Sequence, residues 1–399
     1  MFFNRLLLFF IFFSSVGFFE IKYLSLSQIR LIQFITVGIM LAGIISNYIY
    51  GSRRERKRKL NFVLPIILIL TGVFLSSITA YAYHHQGFLI TFWAQAPMYW
   101  FIAYFFLSVN NFQKEELEKA LVAFAILYSV LYIFQYFLYP TIFFDIRIDD
   151  DPVRGTLRIF LPGRVFLFVG YFIFLTKFLK SNRLVFLYPL LLFFSVALLQ
   201  ATRQFVFSLL LVTLFAILFT RQVKSRGFII LLLSISAFPI FFIFQDIILG
   251  LIELSQSATK GTDLSASARE RALQFFIYDF FPSNSAYILG NGADHMRSPY
   301  GLKVDMLKRF NFYQSDIGLI GDYTKYGLIF VMGAFLTVLK LLKSKVSPGL
   351  NYIKYYALTI ILLIPLSSFF TTPSAILVLC VLFYLIDVDY EKNRDLNKD

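Results

Sequence analysis

The sequence predicts an all-α membrane protein, a polytopic integral membrane helical bundle of about 12 transmembrane helices. Hydrophobic residues make up 58% of its 399 residues and charged residues only 15%, whereas about a quarter of the residues in a soluble domain are charged. The mean hydropathy is +0.72. A soluble core of this chain length could not cover so much apolar surface, whereas a bilayer accepts it. One large external loop containing an amphipathic helix completes the predicted architecture.

Apolar runs that can cross a bilayer recur along the whole chain. The predicted spans cover residues 4–20, 29–49, 61–79, 88–108, 119–139, 160–178, 184–200, 204–220, 227–248, 326–343, 353–370 and 373–388. No small-residue cleavage site follows the first run, so it is predicted to be a span rather than a signal peptide. We expect residues 1–399 to form a single membrane domain, within which residues 250–325 form the large extracytoplasmic loop.

Basic residues are concentrated in short segments that follow even-numbered predicted spans. These clusters occupy residues 53–59, 177–183, 221–226 and 340–345. Because basic loops stay in the cytoplasm, the pattern predicts that these segments and both termini are cytoplasmic. The net charge of +14 then reflects membrane orientation, and no nucleic-acid partner is expected. The single cysteine, Cys380, excludes intrachain disulfides and multi-thiolate metal sites.

A charged segment, RIDDDPVRGTLRIFLPGR, occupies residues 147–164. It is predicted to be external, where the positive-inside rule expects few basic residues. Its arginines are Arg147, Arg154, Arg158 and Arg164. They can either pair with the aspartates at 149–151 or bind an anionic ligand, because a guanidinium is permanently charged and bidentate toward phosphate. Clustered carboxylates can also hold Mg²⁺ beside a diphosphate, but this signal is weak, and neither a metal nor another cofactor is predicted.

Arg203 lies at the outer end of a predicted span. A charge near the bilayer costs a few kcal/mol, on the order of 3 kcal/mol at the centre of a helix, unless it reaches the interface or a partner. Two interpretations stay open for Arg203. It is either an anchor that reaches the interface along its alkyl chain or a ligand for phosphate oxygens.

The large loop contains the predicted amphipathic helix. Ser267 and Glu270 form a capping-box pattern, which predicts that the helix starts at Ser267. Apolar residues at 273, 276, 277 and 280 then define one face, which is predicted to lie on the membrane surface or on top of the bundle. Arg269 and Arg271 of this helix point in different directions, so one can face the bundle while the other faces water. Two turns are predicted further along, at Gly290-Asn-Gly292 and at Ser298-Pro299-Tyr300-Gly301.

Acidic residues flank glycines where the tenth predicted span begins. Asp316 is predicted either to cap that helix or, if burial raises its pKa, to act as a base. Asp322 precedes Lys325 by one helical turn, which predicts an ion pair. His295 is the only histidine of the large loop and is either a base or an exposed loop residue. The histidines at 84–85 have no predicted role.

Three motifs together resemble those of the O-antigen polymerase and ligase superfamily of bacterial membrane glycosyltransferases. The first, Ala201-Thr-Arg203-Gln-Phe, opens a span and is similar to the family's S/T-R-x element. The second is an arginine-bearing helix followed by Ile288-Leu-Gly-Asn-Gly292, similar to the family's R…(L/I)-G-x-G segment. The third, Asp316-x-Gly with Tyr326-Gly327-Leu-Ile, is similar to the element that leads out of the large loop.

The resemblance implies a glycosyltransferase at the external face of the bacterial cytoplasmic (inner) membrane. Its substrates would be polyprenyl-diphosphate-linked glycans, and the glycan would pass from one carrier to a sugar hydroxyl of another lipid-linked repeat unit. The implied partners are membrane lipid, a flippase and a chain-length regulator protein. Diphosphate is a good leaving group, so arginines that stabilise its developing charge matter most. The expected catalytic residues are Asp316, Arg203 and Arg271, and the expected substrate-binding residues are Arg164, Arg158, Arg154, Arg269 and His295.

Two alternatives to a polysaccharide polymerase stay open. Ligases of the superfamily usually carry a histidine near the end of the large loop, where this chain has Ser315-Asp316, so the polymerase is favoured. A transporter or flippase of lipid-linked oligosaccharide should show ionisable or helix-breaking residues at mid-membrane, often in two matching halves. This chain shows neither pattern clearly, because the charges outside its cytoplasmic basic clusters are concentrated near the predicted external face.

Overall fold

The structure is a computed structural model that describes residues 2–50, 59–151, 156–220 and 264–396, with isolated residues between 226 and 252. Helices dominate these described residues. They are α1 (Phe2–Ser15), α2 (Leu26–Tyr50), α3 (Val63–His84), α4 (Phe88–Ala94), α5 (Ile102–Asn110), α6 (Lys114–Leu138), α7 (Arg164–Ser181), α8 (Leu187–Leu199), α9 (Arg203–Phe219), α10 (Leu264–Tyr278), α11 (Asn284–Leu289), α12 (Pro299–Lys308), α13 (Gly318–Lys343), α14 (Tyr352–Leu363) and α15 (Pro373–Leu396).

Within the same residues, strand structure is confined to a short hairpin. The strands β1 (Ile148–Asp151) and β2 (Thr156–Ile159) pair antiparallel, with Ile148 opposite Ile159 and Asp149 opposite Arg158. The all-α prediction is therefore correct for the bulk of the fold but wrong for this segment. In β2, buried Leu157 and Ile159 flank the partly exposed Arg158, which suits a strand whose two faces differ.

In the described part of the chain, five helices are long and apolar enough to cross a membrane. They cover Leu26–Ile49, Val63–His84, Lys114–Leu138, Gln314–Lys343 and Pro373–Arg394. Shorter apolar helices cover Arg5–Ser15, Leu184–Leu199 and Arg203–Phe219. These helices are compatible with a helical membrane protein, whereas the full number of spans stays a prediction.

Several predicted spans differ from the helices that form. The run 88–108 is divided into α4 and α5 by a 3-10 helix over Ala96–Phe101, because Pro97 has no N–H to continue an α-helix. The span predicted at 326–343 begins earlier, at Gly318. The predicted span 227–248 lies largely outside the described residues.

The chain forms two compact units, each assembled from three separate stretches of sequence. The first unit comprises Met1–Thr36, Phe112–Thr259 and Lys345–Thr359, and the second comprises Val37–Asn111, Lys260–Ser344 and Ile360–Asp399. The expectation of a single membrane domain over 1–399 stays a prediction.

In the first unit, α7 packs along α6 and against α8. Gly170 allows this close approach, because a Cβ atom there would lie only 2.4 Å from the Cβ of Ala125. Strand β2 packs against α6 and α8. The hairpin is thereby held beside the start of α7, which follows it directly in sequence.

In the second unit, α3 packs along α13. Small residues again bring the two backbones together: a Cβ on Gly72 would lie 2.7 Å from the backbone nitrogen of Phe330, and one on Gly333 would lie 2.8 Å from that of Ile69. Helix α15 packs against α5. Near its end, buried Asp387 accepts hydrogen bonds from the Tyr104 hydroxyl and the Asn61 amide.

The described part of the large loop contains the α-helices α10, α11 and α12 and the 3-10 helix Gln314–Ile317, whereas one helix was predicted there. Helix α10 already includes Leu264, so the prediction that Ser267 caps its start is wrong. The residues before Ser267 are also compatible with a helix, and the helical backbone extends through them. The predicted turn at Ser298 is instead the start of α12, where the Ser298 hydroxyl accepts a hydrogen bond from the Gly301 amide at 3.0 Å.

The predicted apolar face of α10 is confirmed, and of the two environments expected for it, the membrane surface and the top of the bundle, its contacts with protein agree with the second. Phe276 and Phe280 are buried with Tyr300 and Val304 of α12 and with Ile317. This group is the loop core, and Leu273 packs against its edge. The apolar face is therefore covered by protein, largely by other residues of the large loop. A side chain already buried in protein gains nothing further from lipid.

Candidate functional site

In the first unit, two of the predicted arginines occupy equivalent helical positions. Arg164 is the first residue of α7 and Arg203 is the first residue of α9. Gly163, with φ of 100°, turns the chain into α7. The first N–H groups of a helix lack intrahelical partners, and the helix dipole is positive at this end. A cation at this end is repelled by the helix dipole. A bound anion would offset that repulsion.

An aromatic contact brings the starts of these two helices together. The Arg164 guanidinium lies 3.7 Å from the centre of the Phe205 ring, which belongs to the first turn of α9. The rings of Phe205 and Phe168 lie 5.5 Å apart. Arg164 is half-buried and forms no ion pair with any carboxylate that the structure describes. Its positive charge therefore lies against an aromatic face and is not neutralised by a described carboxylate.

Two further arginines lie in or next to the hairpin, and of these Arg158 lies close to Arg164. Arg147 forms an ion pair with Asp149 at 2.7 Å. Of the two roles considered for these arginines, pairing with an aspartate is therefore confirmed for Arg147. The guanidinium groups of Arg147 and Arg158 lie 5.3 Å and 4.9 Å from the Phe160 ring centre. The charge of Arg158 also acts on Arg164. We call Arg147, Arg158, Arg164 and Arg203 the arginine cluster.

Part of the acidic segment lies outside the described residues. Arg154 and the side chains of the aspartates at 150–151 lie outside the described residues. Among those that are described, no group of three or more His, Cys, Asp or Glu side chains is placed to hold a metal ion. The magnesium hypothesis for this segment therefore stays untested.

In the second unit, helix α10 packs against the 3-10 helix Gln314–Ile317 and against α13. Arg269 is half-buried on the side of α10 that carries Ala272 into the loop core, whereas Arg271 is exposed. Neither arginine forms an ion pair with a described carboxylate. The contact brings the arginine-bearing helix next to the segment that contains Asp316.

Asp316 does not cap α13. It lies within the 3-10 helix, half-exposed, and accepts a hydrogen bond from the Ser315 hydroxyl at 3.2 Å. The residue at the capping position is Ile317, which has no side-chain acceptor. The capping interpretation is therefore wrong, because the 3-10 helix places Asp316 one residue before the position that a cap requires. Its carboxylate keeps acceptor positions open toward solvent.

Asp322 is buried, with 4% of its surface exposed. The Ser368 hydroxyl donates to it at 2.5 Å and shares a further hydrogen bond of 2.6 Å with Thr371. Lys325 pairs instead with Asp294, at 3.9 Å. The predicted pair between Asp322 and Lys325 is thus wrong: packing turns Asp322 into the unit, whereas Lys325 reaches a loop residue.

The motif at Ile288–Gly292 and the motif at Tyr326-Gly327 contact each other directly. The backbone N–H groups of Asn291 and Gly292 donate to the carbonyls of Thr324 and Lys325 at 2.9 Å and 2.8 Å. Gly290 has φ of 80° and Gly327 has φ of 76°. We call this contact the glycine joint. It ties the large loop to the start of α13.

The end of α3 holds the loop through side chains to which the sequence assigned no role. The side-chain oxygen of Gln86 accepts hydrogen bonds from the Ser298 hydroxyl at 2.6 Å and from the backbone N–H of His295 at 3.2 Å. The His84 ring stacks on Tyr300 with 4.1 Å between ring centres and hydrogen-bonds the Asn291 side chain at 3.0 Å. These partners are more than 200 residues apart in sequence, so no local spacing could reveal them.

His295, a predicted base or ligand, is half-buried. Its Nδ1 accepts a hydrogen bond from the Arg297 amide at 3.2 Å, which occupies one ring nitrogen. Burial raises the pKa of the neighbouring Tyr300 hydroxyl well above its usual value, so Tyr300 stays protonated. Tyr300 therefore acts here as a hydrogen-bond donor, to the Gly292 carbonyl at 3.4 Å.

The two units contain different parts of the predicted site. The arginine cluster belongs to the first unit, and the predicted residues of the large loop, with Asp316, belong to the second. Neither a protein-family model nor a curated protein sequence matches this chain. The resemblance stated above therefore depends on the motif residues alone.

Proposed function

We propose that this protein is a membrane glycosyltransferase, a polysaccharide polymerase of the bacterial inner membrane. It transfers a glycan from a polyprenyl-diphosphate carrier to a sugar hydroxyl of another lipid-linked repeat unit. The proposal includes about 12 spans and cytoplasmic termini, as the basic loops suggest. The observation that supports it most is the half-buried Arg164, held beside the start of α9 by Phe205 without a described carboxylate partner.

The chemistry requires stabilised negative charge. The acceptor hydroxyl oxygen attacks the anomeric carbon, the bond from that carbon to the diphosphate oxygen breaks, and the bonding electrons leave with the diphosphate. Arginines oriented in advance stabilise that charge, and losing one such donor typically costs on the order of 100–1,000-fold in rate. In this proposal Arg164 and Arg203 bind the diphosphate, while Arg158 raises the local positive potential.

The acceptor hydroxyl must also lose a proton. Asp316 is the proposed base, because it is half-exposed and keeps acceptor positions open. A positioned base contributes roughly 100–10,000-fold. Arg269, on the helix that packs against the segment of Asp316, is the proposed acceptor-binding arginine of the second unit, and exposed Arg271 is the weaker candidate.

The test uses cells that lack the gene and carry plasmid copies of variants. We expect Arg164→Ala and Arg203→Ala to remove the polysaccharide ladder and leave a single repeat unit on the acceptor, with unchanged protein in the membrane. Arg183→Ala is the matched control, since Arg183 is exposed beyond the other end of α7. It should leave the ladder intact.

Other outcomes contradict the polymerase. A normal ladder with both Arg164→Ala and Arg203→Ala would remove the arginine mechanism. Polymer that accumulates on the lipid carrier in the deletion strain would indicate a ligase. Repeat units retained on the inner leaflet would indicate a flippase.

A further inference from the structure

We propose that the first unit binds an anionic phospholipid at its cytoplasmic end, in a cavity between the end of α9 and the start of α14. The cavity has a volume of about 370 Å³, within the roughly 300–1,000 Å³ usual for ligand pockets. Its lining consists of Phe215, Phe219, Thr220, Asn351, Lys354, Tyr355 and Leu358. This site is unrelated to the predicted arginine mechanism.

The polar lining of the cavity suits a phosphate group. Lys354 is half-buried, and its ammonium group has no carboxylate partner in the described part of the chain. The Asn351 side chain likewise has no hydrogen-bond partner there. The nearby Thr220 and Tyr355 hydroxyls already bond to each other at 2.6 Å. A half-buried cation beside a free amide favours an anion that accepts several hydrogen bonds.

The charges around the cavity favour the same occupant. The start of α14 adds the positive end of a helix dipole. Glu118, an acidic residue near the start of α14, already accepts a hydrogen bond from Tyr352 at 3.0 Å and lies 3.9 Å from Lys114. A basic recess of this kind between helices on the cytoplasmic side suits an acidic lipid head group.

The apolar wall identifies a lipid rather than a free phosphate as the occupant. Phe215 and Phe219 are 43% and 66% exposed, and their ring centres lie 4.6 Å apart. Exposed aromatic rings beside a cation match the junction of an acyl chain and a head group. Both flanking segments, after the eighth predicted span and after the tenth, carry the basic clusters that predict a cytoplasmic location.

The full-length protein, reconstituted in nanodiscs, provides the test. The probes are a mixture of phosphatidylglycerol and phosphatidylcholine, phosphatidylcholine alone, and soluble glycerol phosphate, with lipid retained by the protein measured by native mass spectrometry. We expect selective retention of phosphatidylglycerol and a loss on the order of tenfold with Lys354→Gln. Lys354→Arg, which keeps the charge, should retain most of the binding and shows that the fold is intact.

Lys345→Gln is the matched control, because Lys345 is an exposed lysine of the same unit. An equal loss with Lys345→Gln would indicate a general positive surface and overturn the proposed site. Equal retention of the two phospholipids would also overturn it. A further contrary result would be that glycerol phosphate displaces the lipid at similar concentrations, and does so equally well in Phe219→Ala. That result would show a site for soluble phosphate and overturn the proposal.

Discussion

Single residues show how burial separates two aspartates of the same chain segment. Asp322 is buried and receives a hydroxyl hydrogen bond from Ser368, whereas Asp316 is half-exposed and, among the described residues, its carboxylate is bonded only by its neighbour Ser315. The first environment is typical of a structural acceptor, since a buried oxygen that loses its donor costs about 1–3 kcal/mol. The second environment leaves a carboxylate accessible to a substrate hydroxyl.

The two aspartates should therefore respond differently to mutation. We expect Asp316→Asn to lower polymer synthesis by roughly 100-fold or more, with unchanged thermal stability in detergent, because the amide cannot accept the proton. Lipid-linked repeats and purified protein would be used to measure the rate. The same loss for Asp322→Asn, with Asp316→Asn active, would transfer the base role to Asp322.

A stability measurement checks the structural role of Asp322. We expect Asp322→Ala to lower the free energy of unfolding by about 1–3 kcal/mol, because Ser368 loses its acceptor. Asp322→Asn keeps an acceptor oxygen and should lie closer to the wild type. If Asp322→Ala proved as stable as the wild type, the hydrogen bond from Ser368 would not contribute to the stability of the fold.

At the scale of elements, the glycine joint connects two motifs that are separate in sequence. A Cβ atom on Gly290 would lie 2.4 Å from the carbonyl oxygen of Lys325, and one on Gly327 would lie 2.2 Å from that of Ile288. Both residues also have positive φ, which L side chains rarely adopt. The motif glycines are thus explained by backbone packing, independently of any catalytic role.

Replacing these glycines should disrupt the loop. We expect Gly290→Ala and Gly327→Ala each to destabilise the protein by more than about 1 kcal/mol, seen as a lower midpoint in a thermal unfolding experiment. Gly38→Ala is the control, since nothing lies within 4 Å of its added Cβ, and alanine suits a helix better than glycine. Equal unfolding midpoints for all three variants would contradict the joint.

Elements also show the limit of local patterns. The periodicity of α10 correctly indicated which side is apolar, because that side depends only on 3.6 residues per turn. It could not indicate that α12 covers the face, since Tyr300 and Val304 lie about two dozen residues further along. The capping pattern at Ser267 failed for a related reason: a local motif permits a helix start but does not prevent the helix from extending further.

For the whole molecule, membrane orientation is the prediction with the widest consequences. Cys380 is the single cysteine of the chain and is buried, so it allows labelling experiments in a Cys380→Ser background. We expect Lys303→Cys to react with a membrane-impermeant maleimide on intact cells, because it lies exposed in the predicted external loop. Lys180→Cys should react only after permeabilisation. The opposite pattern would invert the topology and remove the external site.

The sequence by itself determined that the chain is mainly helical and that its helices are apolar. Composition and hydropathy are sums over residues, so apolar helices compatible with a membrane and an apolar face on α10 could be predicted without any long-range contact. Only the tertiary structure decided which partners each polar group has. Arg164 rests against Phe205, Lys325 pairs with Asp294, and His84 stacks on Tyr300. Such contacts depend on how distant helices pack, and packing is set by the shapes of all the side chains together.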